Sequence, residues 1–260
     1  MFDLNNFVID RIVRGVALSQ KDDSVLFSIN QIQNASLNCA SESADAVDAL
    51  GTPIATFYRA KSAEFSAENA LYDMSLMATQ LGTKKKVASA TEKLLVPAME
   101  TFTVVEGGKY ELKHSPKVAP TEIYALNGDS TFGVKYAKAT AASATEFSIA
   151  DKTISLPTGV AVGTDMFVMY EYESDKAVEV VNSATEFPKG CKFVMEVLGC
   201  DVCDQTNLIY AYVIFNNFKL SPDFDWSIQT DGAHPFSGKA QQDYCDKEKR
   251  LFSIIIPGDA

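Results

Sequence analysis

The apolar positions of this chain recur mostly at every second residue, the spacing of an extended strand with one buried and one wet face. The longest unbroken case runs from Phe218 to Gln229. Phe218, Leu220, Pro222, Phe224, Trp226 and Ile228 alternate with Lys219, Ser221, Asp223, Asp225, Ser227 and Gln229. This predicts one strand across the whole run. Just before it, Leu208 to Phe215 is apolar throughout (Leu-Ile-Tyr-Ala-Tyr-Val-Ile-Phe). Such a strand needs cover on both faces, and in a mostly antiparallel protein the second cover is often another chain. Leu208, Tyr210, Tyr212 and Ile214 are therefore the candidate subunit contact.

The N-terminal half follows the same rule. In Val25 to Leu37, Val25, Phe27 and Ile29 alternate with Leu26, Ser28 and Asn30, and Ile54 to Phe65 alternates again as a long strand or hairpin arm. Between them, Cys39 to Gly51 is rich in Ser, Ala and acid (Glu42, Asp45, Asp48). With few large apolar residues it reads as a loop, mobile or ordered only by a partner. The period changes once. Leu71, Met74, Met77, Ala78 and Leu81 recur at three- and four-residue steps, predicting a helix over Ala70–Leu81. Asn69 is positioned to cap its start and Gly82 to end it. Lys84, Lys85 and Lys86 follow, where positive charge suits the negative end of a helix. To about Ser24 the first segment mixes Ile9, Ile12, Val13 and Val16 with Arg11 and Arg14. That spacing leaves open a short helix or an arm lying on a neighbour.

Residues from about Thr101 to Ser183 read as a separate β unit. Ile123–Leu126, Asn127-Gly128 and Phe132–Tyr136 predict a hairpin, because Asn and Gly tolerate the positive φ of a tight turn. Met166–Tyr172 is a further strand. After Pro188-Lys189-Gly190 strands resume at Phe193–Leu198, Leu208–Phe215, Phe236–Tyr244 and Leu251–Ile256. The chain thus divides into a β domain from residues 1–100 and 186–260, with a β module at 101–185 between them.

Composition narrows the function. Of 260 residues, 34 are acidic and 23 basic, a formal charge of -11. This disfavours a surface that grips nucleic acid, which needs clustered Lys and Arg, but suits one past which nucleic acid slides. No stretch approaches the ~18 apolar residues of a membrane span. Met1–Asn6 lacks the basic start and apolar run of a signal peptide, so folding in a cytoplasm is expected. Five cysteines do not make a disulfide scaffold. His114 and His234 lie in turn contexts beside prolines, without a nucleophile motif or a zinc helix, and read as ordinary surface residues. Cys200-Asp201-Val202-Cys203 with Cys191 and Cys245 is a weak zinc candidate. The flanking Gly199 and Asp204 fit a strand-to-strand turn better. Asp223, Asp225 and Asp231 read as solvated. No phosphate-binding glycine loop is present, and neither a cofactor nor a catalytic residue is expected.

The stretch Asp48-Ala49-Leu50-Gly51-Thr52-Pro53-Ile54, leading to Lys61-Ser62-Ala63-Glu64-Phe65-Ser66-Ala67-Glu68-Asn69, resembles tail tube proteins and related virion structural proteins of tailed bacteriophages. The helix ending Ala78-Thr79-Gln80-Leu81-Gly82 fits, as does the close from Asp231-Gly232 through Phe236–Tyr244 to Leu251–Pro257. The likeness covers the first hundred and last seventy residues. The middle module resembles the immunoglobulin-like inserts of such proteins. The resemblance implies a mainly β fold, a β-sandwich or partial barrel of tail-tube type with one flanking helix. It implies hexameric rings whose inner strands join around a channel, stacked into a conduit that DNA passes without specific binding. The Cys39–Gly51 loop, with Glu42, Asp45 and Asp48, would stack rings. Met1–Val16 would bridge to the next ring, and the module would decorate the outside. Other virion proteins would be partners, the location the virion, assembly in the host cytoplasm, with no membrane insertion. A capsid-decoration, head–tail or baseplate role is the alternative. A proline at Ile214 is expected to block polymerisation.

Overall fold

Strand pairing realises the period of two over most of the chain. The structure, a computed structural model, describes residues 6–244 and 247–258. It is mainly β, with seventeen strands and one helix among the described residues. In chain order these are β1 (Phe7–Ser19), β2 (Val25–Ile29), β3 (Ile32–Val47), β4 (Pro53–Asn69), α1 (Met74–Gln80), β5 (Lys86–Val87), β6 (Leu94–Thr103), β7 (Lys109–Glu111), β8 (Glu122–Leu126), β9 (Phe132–Lys138), β10 (Glu146–Ala150), β11 (Thr153–Ser155), β12 (Asp165–Ser174), β13 (Val178–Glu179), β14 (Gly190–Asp201), β15 (Asp204–Leu220), β16 (His234–Ala240) and β17 (Ser253–Ile255). The chain forms two compact units, one from residues up to Lys85 together with those from Val180, the other Lys86–Glu179. The second unit begins before the expected residue 101 because β6 pairs residue by residue with β12, from Leu94↔Ser174 to Thr103↔Asp165.

The first unit is an eight-stranded antiparallel sheet in the order β2-β1-β14-β15-β16-β4-β3, with β17 also on β15. It curls as a half-barrel around Phe27, Phe65, Phe193, Phe215, Phe218 and Phe236, with Ala17, Ala63, Ala67 and Leu76 between the rings. The Phe193 ring lies 5.4 Å from Phe218, 5.9 Å from Phe65 and 6.0 Å from Phe27. Small and large residues alternate along β4 (Ala63, Phe65, Ala67), which leaves room for the neighbouring rings.

Four expectations change here. The open choice for the first segment resolves as a strand, β1, paired with β14 from Phe7↔Asp201 to Ser19↔Cys191. Of the proposed Met1–Val16 arm, residues 1–5 lie outside the described residues. The Phe218–Gln229 alternation is a strand only to Leu220. Ser221 N still donates to Ser237 O, but Pro222 has no N–H with which to continue the ladder. The apolar residues beyond pack as a loop instead. Trp226 lies edge-on to Tyr72 at 5.2 Å, while Ile228 is 82% exposed. The helix begins at Met74, not Ala70. Its N-cap is Asp73, whose Oδ1 accepts from Ser75 N at 2.9 Å and Leu76 N at 2.7 Å. Asn69, the expected cap, is buried at the end of β4, accepting from Gln31 N and donating to the Leu71 carbonyl. Lys85 does not serve the helix C-terminus, since its Nζ donates to Ser75 Oγ in the first turn.

His234 is the fourth. It is fully buried, not a surface residue. Its Nδ1 accepts from Asp73 N at 3.3 Å, which assigns the proton to Nε2, 2.8 Å from Gln80 Oε1. Gln80 Nε2 in turn donates to the Pro235 carbonyl. A neutral imidazole thus ties both ends of α1 to β16, and burial lowers its pKa.

The second unit threads its strands as β6-β12-β8-β9-β10-β11-β7, with β9 and β10 parallel, and pairs β5 with β13. Its core holds Phe102, Leu112, Ile123, Phe147, Ile154, Met166, Val168 and Tyr170. The Asn127-Gly128 hairpin forms, but the positive φ falls on Ser130, with Asp129 Oδ1 bonding Thr131 N. The loop spans Asn127–Thr131, closed by Leu126↔Phe132.

Candidate assembly surfaces

The expected subunit contact lies on a long hairpin. β14 and β15 pair from Gly190↔Lys219 to Asp201↔Asp204, and β1 flanks β14 on its other side. The continuous apolar run of β15 splits between faces. Ile209, Ala211 and Phe215 are buried. Leu208, Tyr210, Tyr212 and Ile214 occupy the opposite face, with Leu208 47% and Tyr210 42% exposed. On that face Arg14 Nε meets Glu196 Oε2 at 2.6 Å, and the Tyr212 hydroxyl donates to Glu196 at 3.4 Å. Leu208 and Tyr210 are thus an apolar patch beside a charged pair. Ile214 is paired on both sides, with Val194 and Ser253. A proline there would break the subunit's own sheet, so it does not test assembly. The backbone edge of β15 opposite β14 has no strand partner from Asp204 to Ala211 among the described residues. Such a row of unpaired N–H and C=O groups is a template for another chain.

Of Cys39–Gly51 only Asp48–Gly51 is a turn; the rest is strand. β3 continues to Val47 and pairs with β4 through Glu42↔Arg59, Ala44↔Phe57, Asp45↔Thr56 and Ala46↔Ala55. A 17-residue β4 has to be matched by an equally long neighbour, and Ser and Ala are small enough to pair without a core. That length was the readable signal. The result is a two-stranded arm whose residues from Ser43 to Tyr58 are all exposed. From Cys39↔Ala63 to the tip is eight residue steps of roughly 3.4 Å, an arm of about 27 Å. At the tip, Asp48 Oδ1 accepts from Leu50 N and Thr52 N, both at 2.8 Å, and these backbone donors, Thr52 first, hold its carboxyl below the usual range. Glu42 and Asp45 lie along β3. Val47, Leu50, Ile54, Phe57 and Tyr58 are exposed apolar residues on the same arm, Leu50 by 91%. An isolated two-stranded ribbon is marginal in water. The arm therefore calls for cover.

Among the described residues, Cys191 does not converge with Cys200 and Cys203. Cys191 and Cys200 sit nine residues apart on β14, about 30 Å at ~3.3 Å per residue. Cys191 is buried, its thiol donating to the Phe218 carbonyl, and burial pushes it up to about 12. Cys200 and Cys203 flank the β14–β15 turn, where Cys203 N donates to Asp201 Oδ1. Cys245 lies outside the described residues. His114 is exposed and stacks on Tyr172 at 3.9 Å. No helix among the described residues is long and apolar enough to cross a membrane.

No curated protein matches the chain. The model of the YomU/Tube protein family matches residues 7–253, through both units and both surfaces above. A match over that span places this chain in the YomU/Tube protein family, as a tube-type structural protein of the phage virion.

Proposed function

We propose that the chain is the repeating subunit of a bacteriophage tail tube, assembling into stacked rings around a DNA conduit. The family match over residues 7–253 carries this reading. Two features support it. The open β15 edge, Asp204–Ala211, offers lateral pairing, so that neighbouring subunits extend one sheet around a ring. The β3–β4 arm offers a second contact directed along its own axis, which stacks one ring on the next. The net charge of -11 keeps passing phosphates from adhering. The role is structural, without catalysis.

Negative-stain micrographs and sedimentation of the purified protein test this. Rings or tubes are expected, and Tyr210→Lys, which puts a charge beside the open edge, is expected to leave folded subunits that do not associate. A wild-type protein that stays strictly monomeric at high concentration overturns the reading.

A further inference from the structure

The strand position between β15 and β4 is only partly filled. β16 occupies it up to Ala240, which pairs with Phe218 of β15 and Ala63 of β4. The chain then leaves the sheet and returns as β17, where Ser253 pairs with Ile214 and Ile255 with Tyr212. Ile214 lies four residues beyond Phe218 (218 − 214 = 4), so β17 continues the line of β16 along β15. The matching level on β4, four residues beyond Ala63, is Arg59. There β4 has no partner on this side among the described residues, and β17 pairs only with β15. The sheet forks, leaving an open edge on each prong.

A cleft of about 730 Å³ opens at the fork, lined by Ala60, Lys61 and Ser62 of β4 and by Lys249, Leu251 and Phe252 before β17. Its size lies within the ~300–1,000 Å³ of sites that enclose a ligand. Lys239 pairs with Glu64 at 2.8 Å, and Arg250 with Glu248 at 3.4 Å. Lys61 and Lys249 make no ion pair among the described residues, which leaves the cleft positive in an acidic chain. Half-buried Leu251 and Phe252 give it an apolar wall. An extended, acidic, partly apolar segment suits such a cleft, by strand addition at its edges.

We propose that the cleft receives the arm tip, residues 46–54, of a second copy of this chain. The tip supplies what the cleft lacks: Asp48, with Asp45 just behind it, against Lys61 and Lys249, and exposed Val47, Leu50 and Ile54 against Leu251 and Phe252. The same chain's own tip cannot reach the cleft, because the β3–β4 ladder holds it about 27 Å away. Tip and cleft are different surfaces, so the contact is heterologous and each copy offers both a tip to one neighbour and a cleft to another. This deepens the tail-tube reading and rests on it.

Cysteine cross-linking in the full chain, with Cys39, Cys200, Cys203 and Cys245 replaced by serine, tests the contact. One preparation carries Leu50→Cys and a second carries Ser62→Cys. Mixed and mildly oxidised, they are expected to yield a disulfide-linked dimer at least ~10-fold over either alone or over a mixture with Lys152→Cys, a factor equivalent to about 1.4 kcal/mol. Adding Lys61→Glu and Lys249→Glu to a chain that still folds is expected to reduce that product by a similar factor. Tubes on micrographs without that dimer overturn the contact and leave the tube reading standing. Absence of any polymer from the cysteine-replaced protein and from wild type overturns both.

Discussion

Glu100→Ala in β6 is expected to unfold the second unit selectively. Glu100 is 4% exposed, with its carboxylate inside the unit. It accepts from the Tyr170 hydroxyl at 2.5 Å, the Tyr110 hydroxyl at 2.7 Å and Lys113 N at 3.1 Å. Burial alone would raise its pKa, but the two hydroxyls and the backbone donor outweigh it, and the carboxyl sits below its usual 4.5. Burial first, and then Glu100, push both tyrosines up to about 12. Removing the carboxylate leaves three donors with no acceptor, each costing about 1–3 kcal/mol, less the relief of a buried charge. The sum is about 4 kcal/mol. At 4–8 °C per kcal/mol for a unit of this size, the melting temperature falls by roughly 15–30 °C. Tyr170→Phe, which removes one donor, is expected to cost about 2 kcal/mol. The sole tryptophan, Trp226, lies in the first unit, so its fluorescence in urea reports that unit alone. Amide exchange of β6 and β12 peptides reports the second. Faster exchange there, with an unmoved Trp226 transition, is the expected result. Unchanged exchange in β6 and β12, or equal shifts by both probes, refutes the reasoning. The pH dependence has a definite sign. A carboxyl depressed in the folded state stabilises above pH 4.5, and that contribution is lost as pH falls through the folded value.

Three further outcomes concern the first unit. Gly82→Ala is expected to cost about 2–4 kcal/mol in urea unfolding followed by Trp226, because Gly82 has φ +72 and an added Cβ would sit 2.2 Å from the Phe187 backbone. Gly51→Ala at the arm tip, with φ +85 but open space, should cost no more than about 1 kcal/mol, which separates the clash from the φ penalty. His234 is held neutral and its pKa is lowered from 6.5, so the unfolded chain binds the extra proton. Stability of the first unit is therefore expected to decline as pH drops from 6.5 toward the folded value, and His234→Gln should flatten that decline. An identical slope in wild type and variant would show that the His234–Gln80 bond is not its source.

Much of this protein was legible because burial imposes a local period. The strands at Phe27, Phe65, Phe193, Phe236 and Met166 all follow from residues two apart sharing a core. The one helix among the described residues followed from its three- and four-residue steps. What the alternation could not reveal is whether a ladder partner exists. Phe218–Gln229 keeps the period yet leaves the sheet after Leu220, although β16 runs on past it to His234, since Pro222 cannot donate the next ladder bond. Cys39–Val47 lacks the period yet is a strand, since β4 supplies its hydrogen bonds. His234 looked like a loop residue until the fold brought Asp73 and Gln80, more than 150 positions away, against its two nitrogens. The fork at Ala240 was likewise unreadable, because it depends on three strands pairing over different lengths. Sequence determined which residues seek burial, since that is a property of each side chain and its immediate spacing. Only the tertiary structure decided which backbone edges remain open, since an edge is defined by the neighbour that is absent.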